Sequence, residues 1–230
     1  MVDVNAFRNP FGGQSFGGPG GGGIIASYTF ATLPATYAVG QPVWVTDIGR
    51  ATIGASPVAA TGSLWVFNGT VWAPVGGRLL LAKLDVPVTG LTNVEAVSGQ
   101  ILLPAAFLKV SDRIRYRLGM TKSGTTDSGV SRLKVGTAGT TSDTTVIGPT
   151  SMSATQLQAG FEYDIKILSA TAWRVTSRND LGVGGASTAA APVDITIANI
   201  SNALYLNVGA TSSSTNNTVS IIDAQIELIR

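Results

Sequence analysis

The sequence contains no cysteine and no histidine. Without thiols, disulfide staples and thiolate metal sites are excluded. Without imidazole, the commonest general base and the commonest transition-metal ligand are missing. Charge is scarce as well: Asp, Glu, Lys and Arg make up 12% of the 230 residues, roughly half of the usual quarter. The balance of 15 Lys+Arg against 13 Asp+Glu gives a net charge of +2, and no basic run marks a nucleic-acid surface. No uninterrupted apolar run reaches the roughly 18 residues that a membrane-spanning helix needs. Met1-Val2-Asp3-Val4 carries neither the basic nor the apolar region of a signal peptide, so the expected location is the cytoplasm or a particle assembled there.

What is present is Ala, Val, Ile, Leu and Thr in short alternating runs, with a mean hydropathy of +0.30. So apolar a chain with so few charges is expected to bury surface against other copies of itself. Its length fits one or two domains. Residues 1–24 are rich in glycine and proline, which cannot repay their own ordering entropy. Phe7, Phe11 and Phe16 are spaced along this stretch as apolar anchors. It reads as a flexible docking arm, the alternative being an inert tail.

Residues 25–78 read as a small β-module. Val43-Trp44-Val45-Thr46-Asp47 and Gly62-Ser63-Leu64-Trp65-Val66-Phe67 are β-rich runs, and Asn68-Gly69 before Thr70-Val71-Trp72 is a hairpin signal. Trp44, Trp65 and Trp72 are expected to form its core, with a sugar-stacking platform as the alternative reading. Pro74-Val75-Gly76-Gly77 reads as a hinge.

Residues 79–230 read as one β-sandwich or jelly roll of eight to ten short strands separated by Gly/Ser/Thr/Asn clusters. In the stretch from Asp112 to Leu118, alternation places Ile114, Tyr116 and Leu118 inward and Arg113, Arg115 and Arg117 outward. Leu133 and Val135 oppose Arg132 and Lys134 in the same way. From Phe161 to Ile167, four apolar residues face in and Glu162, Asp164 and Lys166 face out. Trp173 and Val175 share a face. Further strands are expected at 193–197, 203–208 and 218–229, the last with a bulge where the phase slips between Ile221 and Ile222. Short helical turns are expected at Pro104 to Val110 and Ala154 to Ala159.

Candidate chemistry is sparse. Glu162 and Asp164 share one strand face, but that spacing also fits a solvated surface. Asp127 and Asp143 lie in loops that lack the dense acid of a calcium site. The glycine-rich arm is followed by no Lys-Ser/Thr and is not a phosphate loop. No catalytic residue, cofactor or metal site is expected. The candidate attachment surface is Arg113, Arg115 and Arg117. If the two strands paired, Arg132 and Lys134 would join them, giving five cations on one face for an anionic polysaccharide or a neighbouring subunit. The alternative is an ordinary solvated face.

Val39-Gly40-Gln41-Pro42-Val43-Trp44-Val45-Thr46-Asp47, followed by the run from Gly62 to Trp72, resembles a short module of tail-fibre and other virion proteins of tailed phages. Leu108 to Arg115, Lys122 to Asp127 and Arg132 to Thr140 are similar to jelly-roll domains of phage fibres, spikes and head decorations. The resemblance implies a non-enzymatic homotrimer held to a virion by its N-terminal end. Two placements follow from it: a tail fibre or spike touching host cell-surface polysaccharide, or a head fibre or capsid decoration. A hinge favours the projecting part. From other classes, a carbohydrate-binding module and a depolymerase are the alternatives.

Overall fold

The computed structural model describes residues 25–49, 51–53, 62–84, 87–180, 191–213 and 215–230. Every regular element among them is a strand, apart from one 3-10 turn at Phe30–Thr32. The expected helical turns at 104–110 and 154–159 are instead i to i+3 turns, closed by Phe107 N–H to the Pro104 carbonyl (3.2 Å) and Gln156 N–H to the Ser153 carbonyl (3.1 Å).

Three sheets form. The small module is a four-stranded sheet of β1 (Ser27–Tyr28), β2 (Pro42–Val45), β4 (Ser63–Phe67) and β5 (Trp72–Pro74). Between β2 and β4 the chain leaves this sheet, and β3 (Ala51–Ile53) pairs in parallel with β6 (Arg78–Leu84). The larger layer of the sandwich runs β14 (Val193–Thr196), β13 (Ala172–Asp180), β12 (Gln158–Ile167), β9 (Arg113–Lys122), β16 (Val219–Ile229), β6, β3, and β7 (Val88–Leu91) also pairs with β16. The smaller layer runs β11 (Thr144–Met152), β10 (Gly129–Gly136), β15 (Leu204–Ser212), β8 (Ala96–Leu103). The chain crosses between layers repeatedly, at β7 to β8, β8 to β9, β9 to β10, β11 to β12, β14 to β15 and β15 to β16. The fold is an all-β sandwich of jelly-roll type preceded by a small β-module.

Two-residue alternation explains the layers. Ile114, Tyr116, Leu118 and Met120 of β9 are buried, as are Ile165 and Ile167 of β12, Leu133 and Val135 of β10, and Trp173 of β13. The slip expected in the last strand is a bulge: the β16 register against β9 shifts between Ile221 and Asp223. At the hairpin, β4 and β5 are joined by the four residues 68–71 rather than by a two-residue turn. Only Gly69 takes a positive φ (97°). The Asn68 side chain does the rest, accepting the Thr70 and Val71 N–H groups at 3.0 and 2.9 Å.

The module and the sandwich share one core. Val43, Val45, Ile48 and Trp65 belong to the same buried cluster as the sandwich interior. Phe30, Trp65 and Phe107 meet edge-on with centroids 5.1–5.9 Å apart. Trp72 packs on Tyr37 and Phe67. Arg230 seals the junction. Its Nε and Nη2 donate to the two Asp112 carboxylate oxygens at 3.0 and 2.7 Å, and its remaining donors reach the Trp72 and Phe107 carbonyls. The guanidinium also lies over the Trp65 and Phe107 rings.

The segment expected as a hinge is therefore a fixed corner. Gly76 and Gly77 sit at φ 83° and 70°, and Gly77 N–H closes the turn on the Pro74 carbonyl at 3.0 Å. The Arg230 N–H then bonds the Gly77 carbonyl at 2.8 Å.

Removing one partner of a buried, hydrogen-bonded ion pair strands the other charge. Arg230→Ala should therefore lower the free energy of unfolding by about 3–5 kcal/mol in urea titrations. In the unmutated protein, the module tryptophans and Trp173 should report one shared transition. Tryptophan-to-phenylalanine variants that leave a single probe in each part check this. Separated midpoints would show two independent units.

Candidate interaction surface

The three arginines of β9 point away from the core and meet acids supplied by β12. Antiparallel register sets Arg117 opposite Glu162 and Arg115 opposite Asp164, and on the other side Arg115 opposite Glu227 of β16. Arg113 Nη2 lies 2.9 Å from Asp164, and Arg117 Nε lies 2.9 Å from Glu162. Arg115 sits between both carboxylates at 3.4 and 3.6 Å. The centre of this ladder is dry for a surface feature: the Arg115 and Glu162 side chains are each 14% exposed and Asp164 8%, against 45–47% for Arg113 and Arg117. Farther out, Arg174 forks onto Asp194 at 2.7 and 2.8 Å. That hydrogen bonding holds the Asp194 carboxyl below the usual carboxylate range.

The expected five-cation face does not form. β9 lies in the larger layer and β10 in the smaller one, so Arg113, Arg115 and Arg117 are separated from Arg132 and Lys134 by the thickness of the sandwich. Each group has its own acids. Lys134 and Arg132 lie 3.0 and 3.8 Å from Glu95, and Lys134 Nζ also donates to the Thr141 carbonyl. Both groups are partly neutralised within the chain, by Glu162 and Asp164 on one layer and by Glu95 on the other, which weakens the field available to attract an anion.

The two candidate loop acids, Asp143 and Asp127, are also engaged. Asp143 accepts the Ala138, Gly139 and Thr140 N–H groups and the Asn207 amide, the last at 2.8 Å, and so shapes the 137–143 loop. Asp127 accepts the Asn217 amide at 3.1 Å. Among the described residues no three His, Cys, Asp or Glu side chains gather as metal ligands. No helix among them is long and apolar enough to cross a membrane. Phe7, Phe11 and Phe16, the anchors expected on the arm, lie outside the described residues. Comparison with known protein families and with curated proteins found no match.

Two features escaped sequence reasoning. Arg230 and Asp112 lie 118 positions apart, and no local pattern connects them. Lys122 did leave a signal, because it is a charged residue at an inward position of β9, and it is buried. Burial pulls its pKa below the ordinary lysine value, opposed by the Asp127 carboxylate.

The ladder separates a structural pair from a superficial one. Arg115→Ala should destabilise the fold by about 2 kcal/mol, since it removes the central cation shared by two poorly hydrated carboxylates and leaves each to one half-exposed arginine. Arg117→Ala, at an exposed pair, should cost less than about 1 kcal/mol. Urea denaturation of the two variants side by side measures the contrast. Equal losses would mean that the buried centre of the ladder has no special weight.

Proposed function

We propose that the chain is a non-enzymatic structural protein of a tailed-phage particle, a homotrimeric fibre or spike component. In this reading residues 1–24 dock it to other virion proteins through Phe7, Phe11 and Phe16, and its outer parts meet host cell-surface polysaccharide. The observation that carries the reading is the use made of scarce charge. The ion pairs of the large sheet face and of the module junction fix strand register and couple the two parts into one stiff body. A shape-bearing protein needs that. Val39 (69% exposed) and Val71 (42%) flank the hairpin tip around Gly69, where apolar surface is available to another copy.

One specific observation favours a second reading. The fixed corner at 74–77 removes the swinging outer domain that spoke for a projecting part. A head-fibre or capsid-decoration role, with the same build and the same N-terminal docking, therefore stands beside the first. The carbohydrate-module reading is weakened, since Trp65 and Trp173 are buried and Trp72 is packed in an aromatic cluster, while Trp44, expected in the module core, is half-buried with its ring against Gly62.

Gel filtration with light scattering should give three times the 23.5 kDa chain mass. A monomer at micromolar concentration would end the proposal. Deleting residues 1–23 should abolish incorporation into particles while leaving the soluble oligomer intact. Electron microscopy of particles carrying a tagged chain then decides between tail and head.

A further inference from the structure

At the end of β9 the Lys122 side chain turns inward beneath two loops. Its ammonium donates to three backbone carbonyls: Asp127 at 2.5 Å, Ala154 at 2.6 Å and Ser153 at 2.9 Å. An ammonium has three donors, and all three are used. The three carbonyls hold the Lys122 ammonium directly, and the nearby Asp127 carboxylate adds a favourable charge. Three neutral oxygens converging at about 2.5–2.9 Å on one buried positive charge is the chemistry of a site for a monovalent cation of ammonium or potassium size.

The loops carrying these oxygens lie at the end of the sandwich opposite Arg230. The 123–128 loop is also bonded to the 212–218 loop at both of its ends. Ser123 N–H donates to the Thr218 carbonyl and Thr218 N–H to the Ser123 hydroxyl. Ser213 N–H donates to the Ser128 carbonyl and Ser128 N–H to the Ser213 hydroxyl. The 153–157 loop has a weaker hold of its own: Ser153 and Gln156 bond each other, and Lys122 N–H reaches the Leu157 carbonyl. The Lys122 charge is what joins the 153–154 carbonyls to the 127 carbonyl.

We infer that the Asp127, Ser153 and Ala154 carbonyls form a monovalent-cation cage, filled by the chain's own Lys122, and that this internal cation fixes the shape of the far loop cluster. The rest of the sandwich does not depend on it, because Ile114 to Met120 and their partners pack without it. Lys122 is a positioning residue, and its loss should loosen the loops while sparing the strands.

The test is amide hydrogen exchange on the full chain and on two variants, Lys122→Met and Lys122→Ala. Lys122→Met keeps the stem and removes the charge. Amides of 123–128 and 153–157 should exchange at least about ten-fold faster in both variants, with strand amides of β9, β12 and β16 unchanged. In Lys122→Ala the vacated cage should take up a small cation. Ammonium or potassium chloride should then restore loop protection, while choline chloride at equal ionic strength should not. Native loop protection in Lys122→Met would overturn the inference. So would equal effects of ammonium and choline on Lys122→Ala. A loss of protection spread evenly over all strands would reduce Lys122 to an ordinary core residue and overturn it equally.

Discussion

Strand β9 lies between β12 and β16 at the middle of the larger layer, and successive side chains on a strand must point to opposite faces. That constraint assigns nearly every important residue in the molecule. Its inward set, Ile114, Tyr116, Leu118 and Met120, is buried and forms the floor of the core. Its outward set is the arginine ladder. Just before it, Asp112 receives Arg230 and so ties the small module to the sandwich. Its last residue, Lys122, reaches under the far loops. One strand thus carries the core, the surface charge and both ends of the body.

Alternation alone leaves one question open. A one-residue slip would turn apolar side chains to water and is forbidden, but a two-residue slip keeps every side chain on its proper face. The charges of the outer face remove that freedom. Sliding β12 two residues one way along β9 would bring Lys166 opposite Arg115. Sliding it the other way would leave Arg117 opposite Gly160. Because the centre of the ladder is poorly hydrated, such mismatches are not softened by solvent as they would be on an open surface. In a chain with so few charges, their concentration on this face is better explained by register than by attraction of a ligand.

This also explains what the sequence disclosed and what it hid. Period-two runs gave β9, β10, β12, β13, β15 and β16 and the bulge at Ile221 to Asp223, because each depends only on neighbouring residues, whereas β8 and β11, whose alternation is interrupted by Gly99 and by Gly148-Pro149, escaped them. They could not say which strand lies beside which. The arginines of β9 and the cations of β10 have the same alternating signature, yet they sit on opposite layers. The same limit hid the parallel pairing of β3 with β6, which stitches the module into the sandwich. It also hid Arg230, whose five hydrogen bonds all reach segments distant in the chain. A Gly/Pro segment between two β-rich regions looks like a hinge when the contacts that immobilise it come from the last residue.

The role of Lys122 is sharpened by a second crossing that does without it. Gly119-Met120-Thr121-Lys122-Ser123 and Gly209-Ala210-Thr211-Ser212-Ser213 end β9 and β15 respectively, and from each the chain passes to the opposite layer. The backbone follows the same rule in both. Lys122 N–H bonds the Leu157 carbonyl as Ser212 N–H bonds the Thr92 carbonyl, and the two loops exchange hydrogen bonds in matched pairs. A lysine is therefore not a requirement of the crossing. The difference lies in the neighbouring loops. The 92–95 loop is held from outside, through Glu95 to Lys134 and Arg132. The 153–157 loop has no such ion pair, and a cation supplied from beneath takes its place.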